Sequence, residues 1–106
     1  GVSLILLSAQ SDEAPAKVTG LRVERYESLT GSGDTMVLWR GLDSRFIRTY
    51  EILFSASLDG PFTRINAQDQ VDSAYLHAES GGRGTYRVRA VDTWGRAGEA
   101  SDPITL

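Results

Sequence analysis

The groups in this chain that could do chemistry are its carboxylates, a single imidazole, a cluster of glycines and a set of arginines. Two carboxylates held about 5 to 9 Å apart across a cleft can cleave a glycosidic bond. The acids here are scattered through turns and outward strand positions, and neither Glu24 with Glu27 nor Asp69 with Asp72 falls where short strands would form a concavity. His77 is the only histidine, and no spacing of carboxylates around it supplies a metal site. It would have to serve as base for any serine nucleophile, but no nucleophile-elbow motif occurs, so it reads as an outward-facing strand histidine. Gly81, Gly82 and Gly84 stand between two strands instead of opening a helix, which makes them a flexible loop and not a phosphate cradle. The chain has no cysteine, which excludes disulfides and thiolate metal sites and leaves the redox compartment open. No catalytic residue, metal or cofactor is expected.

The elements that position these groups are strands. Along 84–95, GTYRVRAVDTWG, Tyr86, Val88 and Ala90 alternate with Arg87, Arg89 and Val91, the period-two pattern of a half-buried strand. The run 35–40 offers Val37 and Trp39 to one side, and 49–55 offers Tyr50, Ile52 and Phe54. An opening strand carries Val18, Leu21 and Val23. Asp59–Gly60 marks a tight turn before a short strand at 62–65, and further strands are expected at 74–78 and 104–106. In the 74–78 strand either Leu76 or the pair Tyr75 and His77 faces inward. Seven short strands with turn signals between them describe an all-β, immunoglobulin-like sandwich.

Composition narrows the function classes. A chain of 106 residues has room for one modest core. Fourteen acids against eleven bases, a net charge of −3, argue against nucleic acid as a partner, and no apolar run is long enough to span a membrane. Ten of the eleven bases are Arg, with Lys17 the exception. Arg suits planar, bidentate contacts and so hints at interfaces.

The amino end is unusual, because the six apolar or small residues at 2–7, VSLILL, precede the polar, proline-punctuated SDEAPA. They read either as the tail of a secretory signal, with Ser8 and Ala9 imitating a cleavage site, or as a buried strand. The strand is favoured, since no basic segment precedes it and the chain starts on Gly1. Residues 1–10 are therefore expected to be the terminal strand of a preceding β-sandwich domain, 11–16 a linker stiffened by Pro15, and 17–106 the domain itself.

A Trp ending the second strand, the TYEILFS run, the SLDGPFTRI hairpin and TYRVRAVDTWG together resemble a fibronectin type III domain. By that resemblance Trp39, Tyr50, Ile52, Tyr86 and Val88 form the core, and Tyr86 sits at the tyrosine corner, whose hydroxyl bonds back to the main chain. The order SLILLSA, APAKVTGLRV, MVLWR, TYEILFS, YRVRAVDTWGRAG, ASDPI further resembles the carboxy-terminal portion of the α-L-iduronidase family of glycoside hydrolases. Arg87, Val88, Arg89, Ala90, Asp92, Trp94, Arg96, Gly98, Ser101, Asp102 and Pro103 carry the most specific spacing. The animal members have a cysteine just before TYEI, where this chain has Phe46, Ile47 and Arg48, so a disulfide there is absent and a bacterial or distant relative is implied. The resemblance implies a non-catalytic accessory domain of a glycosaminoglycan-degrading hydrolase, its catalytic acids lying on another domain, and a secreted, periplasmic or lysosomal location.

Three expectations about contacts follow. Met36 and Leu38, outward on the second strand with Tyr75 or His77 as neighbours, and Trp94 with Arg96, after the sixth strand, are expected to meet preceding domains of the same parent chain. Arg87 and Arg89 either grip a glycosaminoglycan or form a cross-strand ladder with Arg48 and Glu51, pairing with acids at about 0.2–1 kcal/mol per pair. An independent adhesion or receptor-type module that binds a protein partner, and a carbohydrate-binding module using Trp94 and nearby arginines, are the alternatives.

Overall fold

The computed structural model describes residues 13–27, 29–31 and 33–106. The strand expected at 1–10 and the first two linker residues lie outside them. Seven strands follow in chain order: β1 (Thr19–Tyr26), β2 (Asp34–Arg40), β3 (Ile47–Ser55), β4 (Thr63–Arg64), β5 (Ala74–His77), β6 (Thr85–Asp92) and β7 (Ile104–Thr105). They make two antiparallel sheets, β1-β2-β5 and β4-β3-β6-β7, and there is no helix among the described residues. The expected all-β sandwich is the observed architecture.

The β3–β6 pairing is the longest, running from Ile47↔Asp92 to Ser55↔Thr85. Its register sets Tyr50 beside Ala90, Ile52 beside Val88 and Phe54 beside Tyr86, so the inward set of one strand meets the inward set of the other. Across the gap β2 brings Val37 and Trp39. Ile52, Tyr86, Val88, Ala90, Val37 and Val18 are fully buried, and each large aliphatic among them contributes about 1.5–3 kcal/mol. Trp39, 5% exposed, sets its indole edge-on to Tyr50 at 5.3 Å. Its ring N–H finds no acceptor among the described residues.

Two short border strands are completed by side chains. Beyond the two-residue β4, Asn66 Oδ1 accepts the Ile52 N–H at 2.9 Å, while its Nδ2 donates to the carbonyls of Tyr50 and Gln68. Ahead of β7, Ser101 exchanges hydrogen bonds with Val88, its N–H donating to the Val88 carbonyl and its Oγ accepting the Val88 N–H. Both polar residues are buried, and both replace ladder bonds that a longer strand would have made.

Two readings of the sequence are corrected here. His77 does not face outward: β5 pairs Tyr75 with Val37 and His77 with Thr35, which turns Tyr75 and His77 toward the core and leaves Leu76 outside, 44% exposed. Nor does the Tyr86 hydroxyl return to the main chain; it meets Nδ1 of His77. Among the tyrosines it is Tyr50 whose hydroxyl takes a main-chain N–H, from Leu42 at 2.8 Å.

Candidate functional site

The end of the sandwich where β2 and β6 finish is organised by Asp92. Its Oδ1 accepts the backbone N–H groups of Trp94 and Arg96 at 2.9 Å each, and Arg96 Nε donates to Oδ2 at 2.8 Å. Burial by itself would raise the Asp92 pKa, but these donors more than offset it and hold the carboxyl below its ordinary range. The tight turn, with Gly95 at φ +83°, presents Trp94 outward. Its ring packs on Phe46, centroids 5.3 Å apart, with the Arg96 guanidinium over its face at 5.3 Å and Arg45 over Phe46 at 5.1 Å. Beside this cluster opens a hollow of about 290 Å³, lined among others by Pro15, Leu42, Asp43, Phe46, Trp94 and Arg96. Trp94 and Arg96 are thus brought together. Phe46 and Asp92, the residues that hold them there, entered the sequence reading only through the family spacing and not as site residues, although Asp two residues before Trp and four before Arg is an Asx-type turn signal.

Met36 and Leu38 lie elsewhere, on the outer face of the three-stranded sheet, both half-buried. Their partners across β5 are Leu76 and Ala74, not Tyr75 or His77, and across β1 they face Glu24 and Arg22. Leu76, Met36 and Leu38 therefore form a short apolar strip flanked by an Arg22–Glu24 pair at 3.9 Å.

The arginines of β6 are committed within the chain. Glu51, its side chain 15% exposed, receives Arg89 Nε at 2.6 Å on one oxygen and Arg64 at 3.0 Å on the other. Arg87 Nε donates to the Ser101 carbonyl at 2.8 Å, with its guanidinium 5.7 Å from the Phe62 ring. Arg48 stands apart from this ladder and faces Asp69 at 3.9 Å. Of the acids weighed for catalysis, Glu24 accepts the Tyr26 hydroxyl at 2.8 Å on an exposed border strand, and Asp69 is the Arg48 partner. Among the described residues, no group of three or more His, Cys, Asp or Glu could hold a metal.

A sandwich of three and four antiparallel strands, closed by an inward Trp and three inward Tyr, is the fibronectin type III class of fold. The fold agrees with solved structures of that class: an Fn3-like protein from Clostridium thermocellum matches over 89% of this chain and 90% of its own, at 20% identity and TM-score 0.62.

Residues 20–106 match the family model described as the α-L-iduronidase C-terminal domain, and the chain belongs to that family. Human α-L-iduronidase is 33% identical over 95% of this chain, and the dog enzyme 36% over 96%. The chain spans only 15% and 16% of those two relatives. A solved bacterial orthologue of the human enzyme superposes with TM-score 0.73 at 32% identity, over 92% of this chain and 16% of its own.

Proposed function

We propose that this chain is the non-catalytic carboxy-terminal accessory domain of an iduronidase-like glycosidase, which packs against and stabilises the domains that carry out catalysis. The match of residues 20–106 to the α-L-iduronidase C-terminal domain is the observation that carries this reading. Its division would be a domain from residue 17 onward, tied by the 11–16 linker to a preceding sandwich, in a secreted, periplasmic or lysosomal enzyme. The placement of the acids supports it, because Asp92, which is buried, and Glu51, whose side chain is 15% exposed, are each bound to arginine in structural roles. Sugar contact through Arg87 and Arg89 is the less favoured reading, since both guanidinium groups already serve partners in the chain.

The test compares the intact parent enzyme with a version ended before residue 11. Loss of the domain is expected to lower the melting temperature and shorten the half-life of iduronide-cleaving activity on warming. A truncated enzyme as durable as the intact one, or iduronide turnover by residues 17–106 alone, would overturn the proposal.

A further inference from the structure

One wall of the hollow beside Trp94 is not a loop of the sandwich but the segment leading into it, residues 13–16. That segment is pinned to the body. Gly98 lacks a side chain where the main chain of Pro15 crosses it, and a Cβ there would stand 2.3 Å from the Pro15 carbonyl oxygen and 3.2 Å from that of Ala16. Lys17 Nζ then meets Asp102 Oδ1 at 2.7 Å, and Val18 is wholly buried. Residues 15–18 form a strap held at successive points, and Glu13 and Ala14 just ahead of it line the hollow. Opposite the strap stand Leu42, Phe46, Ile47 and Trp94, and Trp94 remains 44% exposed although one side of its ring lies on Phe46.

We propose that this hollow is a socket for an apolar side chain of the domain preceding residue 13 in the parent chain, with the strap setting the direction from which that side chain arrives. The inference rests on the accessory-domain reading above and adds to it which surface is covered and by what. The strap favours this occupant over a free ligand or a second copy, because a tethered neighbour is present at the mouth at an effective concentration on the order of mM. Size agrees, since about 290 Å³ is at or below the lower limit of a small-molecule site, roughly 300 Å³, yet takes one large side chain. So does chemistry: the Asp92 carboxylate is bound to Arg96, and Leu42, Phe46, Ile47 and Trp94 supply an apolar wall beside the polar Asp43 and Ser44.

Hydroxyl-radical footprinting of the intact parent enzyme tests this, with Leu58 and Val71, 65% and 74% exposed, as internal references. Trp94 is expected to react at least about fivefold more slowly than its exposure in this structure gives once intrinsic reactivity is normalised. Gly98→Val, which pushes the strap off, should restore that reactivity while Trp39 stays protected. If Gly98→Val exposes Trp39 as well, the pair Lys17→Ala and Asp102→Ala frees the strap without added bulk and should give the same recovery. Trp94 reacting in the parent at the rate its exposure gives, or staying protected after the strap is freed, would remove the socket. Protection of Met36, Leu38 and Leu76 with Trp94 open would remove it while leaving the accessory-domain reading standing. All four open, in a parent whose stability ignores truncation, would remove both.

Discussion

The hydroxyl of Tyr86 on β6 lies 2.5 Å from Nδ1 of His77 on β5, so a side-chain hydrogen bond joins the two sheets. Phe54 closes over the pair, its ring 4.9 Å from the imidazole and 5.2 Å from the phenol. Burial pushes the His77 pKa below its ordinary value and the Tyr86 pKa above its own.

Acid should therefore weaken this domain through His77. The unfolded chain takes up a proton near pH 6.5, while the folded one resists it, so stability is fully present above about pH 6.5 and falls as pH drops toward the lower folded value. Urea midpoints measured between pH 7.5 and 5 should decline, and the slope should flatten in His77→Gln, since the chain has no other histidine and the carboxylates held low by their partners contribute only as pH approaches about 5. An unchanged slope in that variant would refute the assignment.

Trp39→Ala should cost about 3–5 kcal/mol, a large share of the roughly 5–15 kcal/mol that holds a small domain together. Trp39→Phe should cost far less than that, because it keeps a ring against Tyr50 and deletes an indole N–H that has no acceptor among the described residues. Equal losses in the two variants, read by chemical denaturation, would contradict the packing described.

Replacing Asn66 with Ala leaves the Ile52 N–H without its partner, at about 1–3 kcal/mol for that buried donor, while the Tyr50 carbonyl keeps the Thr49 hydroxyl at 3.1 Å. Asn66→Asp should fare no better, since a carboxylate would face the two carbonyls that the amide now serves. Hydrogen exchange should report it locally, with the Ile52 amide losing protection first.

Gly84 is the seat of the Phe54 ring. A Cβ there would stand 2.2 Å from Phe54 Cε1, and φ is +117°, where side chains are strained. Gly84→Ala should destabilise by about 1–3 kcal/mol or more. Adding Phe54→Leu should recover the steric part, so the double variant loses less than the sum of the singles.

Met36→Ser with Leu38→Ser, made in the parent enzyme, addresses the other candidate docking face. If the strip they form with Leu76 is covered by a neighbouring domain, the parent's melting temperature falls; an unchanged value would assign that strip to solvent.

Strand positions and the inner faces of β2, β3 and β6 were legible because alternation survives in one-dimensional form: Val37 with Trp39, Tyr50 with Ile52, Tyr86 with Val88. Which tyrosines reach the backbone was not, since Tyr50 takes the Leu42 N–H and Tyr75 donates to the Ile65 carbonyl, contacts set by loop geometry. His77 was misread because β5 is only four residues long, too short for a period to decide its parity. Asn66 and Ser101 look like ordinary loop polars in the sequence, and their buried roles depend on how short β4 and β7 turn out to be. For the site, the outward setting of Trp94 and Arg96 could be read from the turn, whereas their seat on Phe46 and the strap across Gly98 join segments far apart in the chain.

Sheets recruit strangers by zipping backbone to backbone along an open flank. On the β4 side of this one the zipper runs out after two residues, and the next rungs are taken by a carboxamide belonging to the chain itself. A neighbouring molecule approaching there meets the Ile52 N–H and Tyr50 carbonyl already engaged, and a border strand of two residues offers a poor template for fibre-like growth.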